Sequence, residues 1–504
     1  MDSNQKEKRR KIWGGIWYSV FILYFLNMLV VTVIILLMRP MWYDINEFLI
    51  GMIGTRFGWL TLILSFIFLT FAHSVYLVVF GGFKLAKYGK THAGWGHKII
   101  PFVFLPVWDF AINLLFSEAG SEIAIVRTQL EYFSPLFWLI LIIGASAFAP
   151  TLLRKFLAAL PKLRQEEVKL WQKGKIVDIS IITIVFCITI IGAPFILIPS
   201  TVVRGDIPPK PILMAHRGAS HLAPENTLEA AEQALVWGAD GVEVDLTISF
   251  DGTIILCHDD TLRRTTNVAE VFPGRENDHV TSFTLAELRS LDAGSWFVDS
   301  DPFQTIKQGH VNDSLAESYR GILIPTLEEL INFTRDNGML LDIDSKGPPS
   351  GHPFWATYND ILFTQLNNSG MGKDILWSST STLTNNMTYV TGPDTVEELI
   401  SKGTELVNTH HGLTNEEFRD YEEAGIPVMC WTVDSVSRFS QLWCLGVDYI
   451  KTNNLHLMGP LTKPIWSMKS LTYIITWIIV ILVTPTLSFT IDYIVRKKSR
   501  KNHP

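Results

Sequence analysis

Two histidines, two acids and an arginine stand close together near the middle of the chain: His216, Arg217, Glu243, Asp245 and His258. Glu243 and Asp245 are two positions apart, so on a strand their carboxylates share one face. Carboxylates held that close repel unless a proton or a cation comes between them. Oxygen donors of this kind suit a hard divalent cation, Ca²⁺ or Mg²⁺, and a phosphate would complete its shell. Histidines exchange protons in either direction near neutrality. Two of them on opposite sides of a phosphoryl centre could activate an attacking oxygen and protonate a leaving one. Arg217 can offer phosphoryl oxygens a charge-assisted fork. Taken singly, an acidic pair on an ordinary strand, a packed histidine or a surface ion pair would be the plainer readings. The chemistry rests on their combination.

Such groups need a scaffold. Across 207–462, short β-rich runs alternate with amphipathic stretches, the pattern of β/α units around a parallel sheet. Strands are expected at 212–216, 241–247, 253–258, 339–344, 374–378, 405–409, 427–432 and 447–451, with helices at 227–237, 326–337, 414–424 and 436–445. Eight strands in about 250 residues match a (β/α)8 barrel, an α/β fold that gathers functional groups at the C-terminal ends of its strands. His216 ends the first expected strand, Glu243 and Asp245 lie in the second, His258 ends the third and Asp342 lies in the fourth. The interval 260–325 is too long for a simple loop; its Trp296-Phe297 and Asp301-Pro302-Phe303 predict a small inserted subdomain. Asn226 and Thr227 open a helix and are explained by capping.

The rest of the chain is of a different kind. Hydrophobic residues make up 48% of the 504 and charged ones 18%, too apolar a balance for one soluble domain. The net charge of -7 excludes a generally basic nucleic-acid binder. Six apolar runs, at 14–38, 59–82, 99–116, 133–153, 176–199 and 471–495, approach or exceed the length that crosses a bilayer. The third is the shortest and carries Pro101, Pro106 and Asp109, which leaves a re-entrant segment as its alternative. Basic residues cluster before the first run, in the second and fourth connections and in the tail 496–504, whereas the first connection holds only Arg39 and Arg56 and the third only Arg127. Basic flanks kept in the cytosol give this alternation if all six runs cross. The expected layout is therefore a cytosolic start at 1–13, five transmembrane helices within 14–199, an extracytosolic barrel and a sixth transmembrane helix, in a plasma-membrane or secretory-pathway protein. The first run is too long for a cleavable signal and reads as an anchor. Asn312, Asn332, Asn367 and Asn386 head glycosylation triplets, all within the segment placed outside. Basic flanks also suit contact with anionic membrane lipids. Cys187 lies in an apolar run, and Cys257, Cys430 and Cys444 lack zinc or redox spacing and read as buried thiols, with one disulfide as the alternative. Nothing in the sequence sets an oligomeric state.

Four motifs in order, Met214-Ala215-His216-Arg217-Gly218-Ala219, Pro224-Glu225-Asn226-Thr227, Gly238 through Asp245, and Asp251 through Asp259, resemble the glycerophosphodiester phosphodiesterase family. Trp431-Thr432-Val433-Asp434 and Gly446-Val447-Asp448 are similar to its late-strand motifs. Five spans before the domain and one after resemble the family's multipass animal branch. The resemblance implies metal-dependent hydrolysis of glycerophosphodiesters, such as glycerophosphoinositol, glycerophosphocholine or the head group of a glycosylphosphatidylinositol anchor. It implies His216 and His258 as the acid–base pair and Arg217 as their catalytic neighbour. Glu243, Asp245 and a fourth-strand glutamate would hold the metal, with His258 an additional or alternative ligand. Gly218 would let the backbone approach the phosphate, although a turn glycine is an equal reading. Glu225 would touch the metal or a substrate hydroxyl, or else cap the helix that follows it. Trp431 resembles a residue walling the substrate pocket.

One departure stands out. Where the family offers Glu-x-Lys, this chain reads Leu341-Asp342-Ile343-Asp344-Ser345-Lys346. By register Asp342 is the expected third acidic ligand, and Asp344 stands where a cation is expected. That departure keeps a second reading open, a receptor-like surface protein whose barrel binds without turnover. Transport through the bundle has little support, because the spans hold few ionisable groups.

Overall fold

The computed structural model describes residues 3–37, 57–88, 93–118, 123–164, 188–378 and 386–502, with Trp42, Asn46 and Thr91. Contacts divide the chain into two bodies, 1–130 and 131–504.

In the first body, helices Ser3–Leu37, Trp59–Tyr88 and Trp95–Glu118 are joined by an apolar seam. Phe21, Tyr24, Met28, Val31 and Ile35 pack with Ile67, Leu77 and Trp108. His73 Nε2 and His97 Nδ1 meet at 3.0 Å.

The second body holds the helix Ile123–Arg164 from Glu131 onward, a helical stretch at 188–196, the large domain and the last helix, Ser470–Asn502. Ser146 and Thr484 bond at 3.0 Å, Arg154 pairs with Asp492, and the Tyr473 hydroxyl donates to the Pro194 carbonyl at 3.0 Å. At the head of the first of these helices, the Glu131 carboxylate accepts from the Ser200 amide at 2.6 Å and from Asn415 Nδ2 at 3.0 Å. The helical segments therefore grip the domain by specific bonds.

Four stretches among the described residues are long and apolar enough to cross a membrane: Ile12–Leu36, Trp59–Leu85, Thr128–Ala158 and Ser470–Lys498. The third expected run forms the helix Trp95–Glu118, which is not among the four. Positions 176–187 of the fifth run, Cys187 included, lie outside the described residues.

The large domain is a closed barrel of eight parallel strands: β1 (Ile212–His216), β2 (Gly241–Ile248), β3 (Leu340–Ser345), β4 (Ile375–Trp377), β5 (Thr388–Thr391), β6 (Leu406–His410), β7 (Val428–Trp431) and β8 (Tyr449–Thr452). Each pairs with the next, and β8 with β1 closes the ring. Two sequence expectations need correction. The expected third strand is Ile254–Leu256, which pairs antiparallel to β2 as a hairpin. The Asp251-Gly252 turn allows only that, because a parallel crossover needs a dozen or more residues. The eighth barrel strand is instead Thr388–Thr391, too short and too polar to stand out.

Alternation along each strand sorts the side chains. On β2, Val242, Val244, Leu246 and Ile248 join the apolar layer under the surrounding helices, while Glu243 and Asp245 turn inward. The barrel floor is plugged by Met214, Leu376, Val390, Leu406 and Met429. Two positions beyond that floor the inward residues turn polar, at His216, Asp342, Asn408, Trp431 and Lys451, and two further on stand Asp344 and His410. Residues 260–325 fold into short helices over a small core of Leu262, Val268, Val280, Phe283, Leu288 and Ile324, to which Ile255 of the hairpin contributes.

Candidate active site

His216 ends β1, and its Nε2 lies 4.0 Å from Glu243 Oε2. Its Nδ1 contacts Asn453 Oδ1 at 2.9 Å. Burial, then the charge of Arg217 and of Lys451, hold the ring below its ordinary value. Arg217 follows in the left-handed region at φ 55°, a conformation non-glycine residues adopt at a cost of about 1–3 kcal/mol. The bend aims the Arg217 amide at Glu243 Oε2, 2.9 Å away. Its guanidinium reaches Glu225 Oε1 at 3.0 Å and Asp245 Oδ2 at 3.4 Å. Gly218, at φ 75°, lies against the following helix: a Cβ there would sit 2.6 Å from Ala230 Cβ. Packing therefore demands this glycine.

Glu243, Asp245 and Asp344 each bring a carboxylate oxygen within 4.8 Å of the other two. Burial raises Glu243, with repulsion from Asp342 adding to it; burial and then Glu243 raise Asp245. The structure groups Asp344, rather than the expected Asp342, with Glu243 and Asp245. Asp342 and Asp344 are two apart and share the inward face, so alternation alone could not separate them. Asp342 sits buried against Lys451 from β8, Nζ to Oδ2 2.5 Å. Asp342 and Glu243 hold Lys451 above its ordinary value, against the effect of burial. One residue on from β3, Lys346 Nζ donates to the His258 carbonyl at 2.8 Å. Asp344-Ser345-Lys346 thus reads acid-x-lysine at the end of this strand.

The donor set fits a hard cation at the trio. Four carboxylates, those of Glu243, Asp245, Asp342 and Asp344, share two nearby cations, Lys451 and Arg217, which leaves a surplus of negative charge. A second group, Glu225, His258 and Asp259, is also compact, but its carboxylates are already taken. Arg264 donates to Glu225 through both terminal nitrogens at 2.7 Å and to Asp259 Oδ2 at 2.7 Å. Burial would raise Glu225, but Arg264 overturns that and holds it low; Asp259 is likewise held down by His258 and Arg264. His258 Nδ1 meets Asp259 Oδ1 at 2.7 Å. The structure thus groups His258 with Glu225 and Asp259, on the loop after the hairpin, and Arg217 links the two groups.

Asn226 and Thr227 divide the work that the sequence assigned to capping. Thr227 is the cap, accepting from the Ala230 amide at 3.1 Å, so Glu225 is free of that role. Asn226, at φ 57°, clasps Asp245: it accepts from the Asp245 amide at 3.0 Å and donates to Oδ2 at 2.9 Å. Trp431 ends β7 half-exposed and meets His410 edge-on at 5.5 Å between ring centres. Sequence reasoning also missed Asp259, Arg264, His410, Lys451 and Asn453. Lys451 and Asn453 are two apart at the end of the last strand, a spacing that marks an inward face. The four asparagines Asn312, Asn332, Asn367 and Asn386 are all exposed. Cys257, Cys430 and Cys444 are free thiols, the first two buried.

A closed parallel barrel with acids and imidazoles at the C-terminal ends of its strands defines an α/β barrel, with the rim where such folds carry their sites. Residues 216–457 match the family model "Glycerophosphoryl diester phosphodiesterase family". The chain is 32% identical over 303 residues to Glycerophosphodiester phosphodiesterase domain-containing protein 5 of Gallus gallus, covering 56% of this chain and 48% of that protein, about half its length. It is 27% identical over 472 residues to Glycerophosphoinositol inositolphosphodiesterase GDPD2 of Mus musculus, covering 92% of this chain and 85% of the relative, so the likeness runs through the helical segments as well. Among solved structures, an Oleispira antarctica phosphodiesterase in complex with the product sn-glycerol-3-phosphate shares 23% identity at a TM-score of 0.39, covering 49% of this chain and 95% of that one. Through its barrel domain the chain is similar to the glycerophosphodiester phosphodiesterase family.

Proposed function

We propose that the protein hydrolyses glycerophosphodiesters at the outer face of a membrane, using a divalent cation held by Glu243, Asp245 and Asp344. The observation that carries this reading is the convergence of those three carboxylates within 4.8 Å, with His216 Nε2 4.0 Å from Glu243. A bound divalent cation there would neutralise phosphate charge and polarise the phosphorus centre. Arg217 adds positive charge on the Glu225 side, where it steadies non-bridging oxygens. His216, with no carboxylate on its Nδ1, takes the proton of the attacking oxygen. His258, which has a carboxylate partner in Asp259, returns one to the departing alcohol. Trp431 and His410 line the opposite lip and face the alcohol portion. Because Asp344-Ser345-Lys346 supplies the acid-x-lysine pair, the departure that favoured a binding-only receptor loses its force.

The topology proposed is six membrane crossings, both termini cytosolic and the barrel outside with glycans on Asn312, Asn332, Asn367 and Asn386. Charge alternation between the apolar runs supports it. For the head group, glycerophosphoinositol and glycerophosphocholine are the first substrates to test; the mouse relative is named for the former. Attack by water yields an alcohol and a phosphomonoester, whereas attack by a substrate hydroxyl yields a cyclic phosphate. Mass-spectrometric identification of products from each substrate, with full-length protein in detergent, decides bond and head group together. Absence of any phosphorus-containing product from the panel would defeat the proposal.

A further inference from the structure

We propose that Asp434 and Asn453 are positioning residues that fix the tautomer of His216, an inference that rests on His216 acting as the proton acceptor. Asp434 follows β7 and Asn453 follows β8, so both stand at the C-terminal end of the barrel. The Asp434 carboxylate accepts three bonds: from Asn453 Nδ2 at 2.7 Å, from the Asn453 amide at 2.8 Å and from Thr452 Oγ1 at 3.2 Å.

A carboxylate can only accept. The side-chain amide of Asn453 must therefore turn its NH₂ toward Asp434, which leaves Oδ1 facing the other way. That oxygen receives the Ser220 hydroxyl at 2.6 Å and meets His216 Nδ1 at 2.9 Å. A carbonyl oxygen has no proton to give, so Nδ1 carries the hydrogen. In the neutral ring Nε2 is then the bare nitrogen, on the side of Glu243 and the carboxylate trio. The opposite amide orientation would set two acceptors against each other at Asp434 and turn NH₂ toward His216, forcing the ring proton onto Nε2. Asp434 thus sets the chemistry of His216 through one intervening amide. Because Asn453 is neutral, it orients the ring without supplying a counter-charge for an imidazolium.

The swap of the two side chains tests this. Asp434→Asn frees the Asn453 amide to flip. Asp434→Asn combined with Asn453→Asp restores the pattern, because the amide introduced at 434 donates to the carboxylate introduced at 453, which again accepts from His216 and Ser220. With full-length protein and whichever of glycerophosphoinositol and glycerophosphocholine the wild type turns over faster, Asp434→Asn should lower kcat by roughly 10²-fold or more while KM stays within about threefold. The double swap should recover kcat to within about tenfold of wild type. Melting curves normalise each rate to folded protein. A purely structural role would leave kcat per folded molecule unchanged in the single variant, which overturns the inference. So does a folded double swap as slow as the single variant. If the single variant does not fold, the double swap alone decides by the same criterion. No turnover by wild-type protein overturns the functional reading and this inference together; wild-type turnover with an unimpaired Asp434→Asn overturns the inference alone.

Discussion

Asn226 and Asp245 hold each other by a reciprocal pair of hydrogen bonds, the Asp245 amide to Asn226 Oδ1 at 3.0 Å and Asn226 Nδ2 to Asp245 Oδ2 at 2.9 Å. The residue before a helix thereby reaches across to β2 and sets which way a carboxylate of the trio points. Asn226 has φ 57°, so Asn226→Gly keeps the backbone while deleting both bonds. The expected outcome is Ca²⁺ or Mg²⁺ affinity weaker by roughly 10–100-fold, measured by titration calorimetry on chelator-stripped protein. Affinity unchanged by the substitution would show that the clasp does not orient Asp245.

Asp342 and Asp344 should fail in different ways. Asp344→Asn removes a member of the trio and should weaken cation binding with little loss of stability, since its side chain is exposed. Asp342→Asn takes from buried Lys451 the carboxylate it touches and leaves Glu243 to offset part of the loss, so the cost is at most on the order of 3–5 kcal/mol. Pairing Asp342→Asn with Lys451→Met should recover much of that loss. Urea unfolding alongside cation titration separates the two effects; equal destabilisation by both single variants would contradict the assignment.

Much of this was written in the chain. The period of two put Glu243 and Asp245 on one face, and the alternation of strand and helix gave the barrel. Four things were out of reach for physical reasons. Asp342 and Asp344 share a face, so only their depth in the barrel, set by Lys451 from a strand more than a hundred positions later, tells ligand from ion pair. Ile254–Leu256 has strand composition but no crossover before it, which makes it a hairpin arm and puts His258 on a loop. Thr388–Thr391 is a barrel strand because β4 and β6 pair with it on either side, partners that no local pattern reveals. The Asn226 clasp was masked because asparagine before a helix already has a local explanation.

Acid should loosen the fold in part through His456. Burial, then repulsion from His310 and His221, lower this ring to about 4 in the folded protein from 6.5. Between those values the unfolded chain binds more protons, so the stability tied to His456 is fully present above pH 6.5 and is lost as pH falls through about 4. The melting temperature should therefore drop over that window, and His456→Gln should flatten the drop. An identical pH profile in the variant would remove His456 from the account.

Sidedness has a simple readout. With the barrel outside, endoglycosidase treatment of protein expressed in animal cells should increase gel mobility, and Asn→Gln at 312, 332, 367 and 386 together should abolish the increase. A protein indifferent to the enzyme would contradict a glycosylated, outward-facing barrel.

The central claim is that a cation at Glu243, Asp245 and Asp344 works with His216 on a phosphodiester. Its most direct test is hydrolysis of glycerophosphoinositol and glycerophosphocholine by full-length protein, with and without EDTA, for wild type and His216→Ala. The account predicts turnover that EDTA removes and excess Ca²⁺ or Mg²⁺ restores, and none of it in the variant. Hydrolysis that persists through both the chelator and His216→Ala would contradict it.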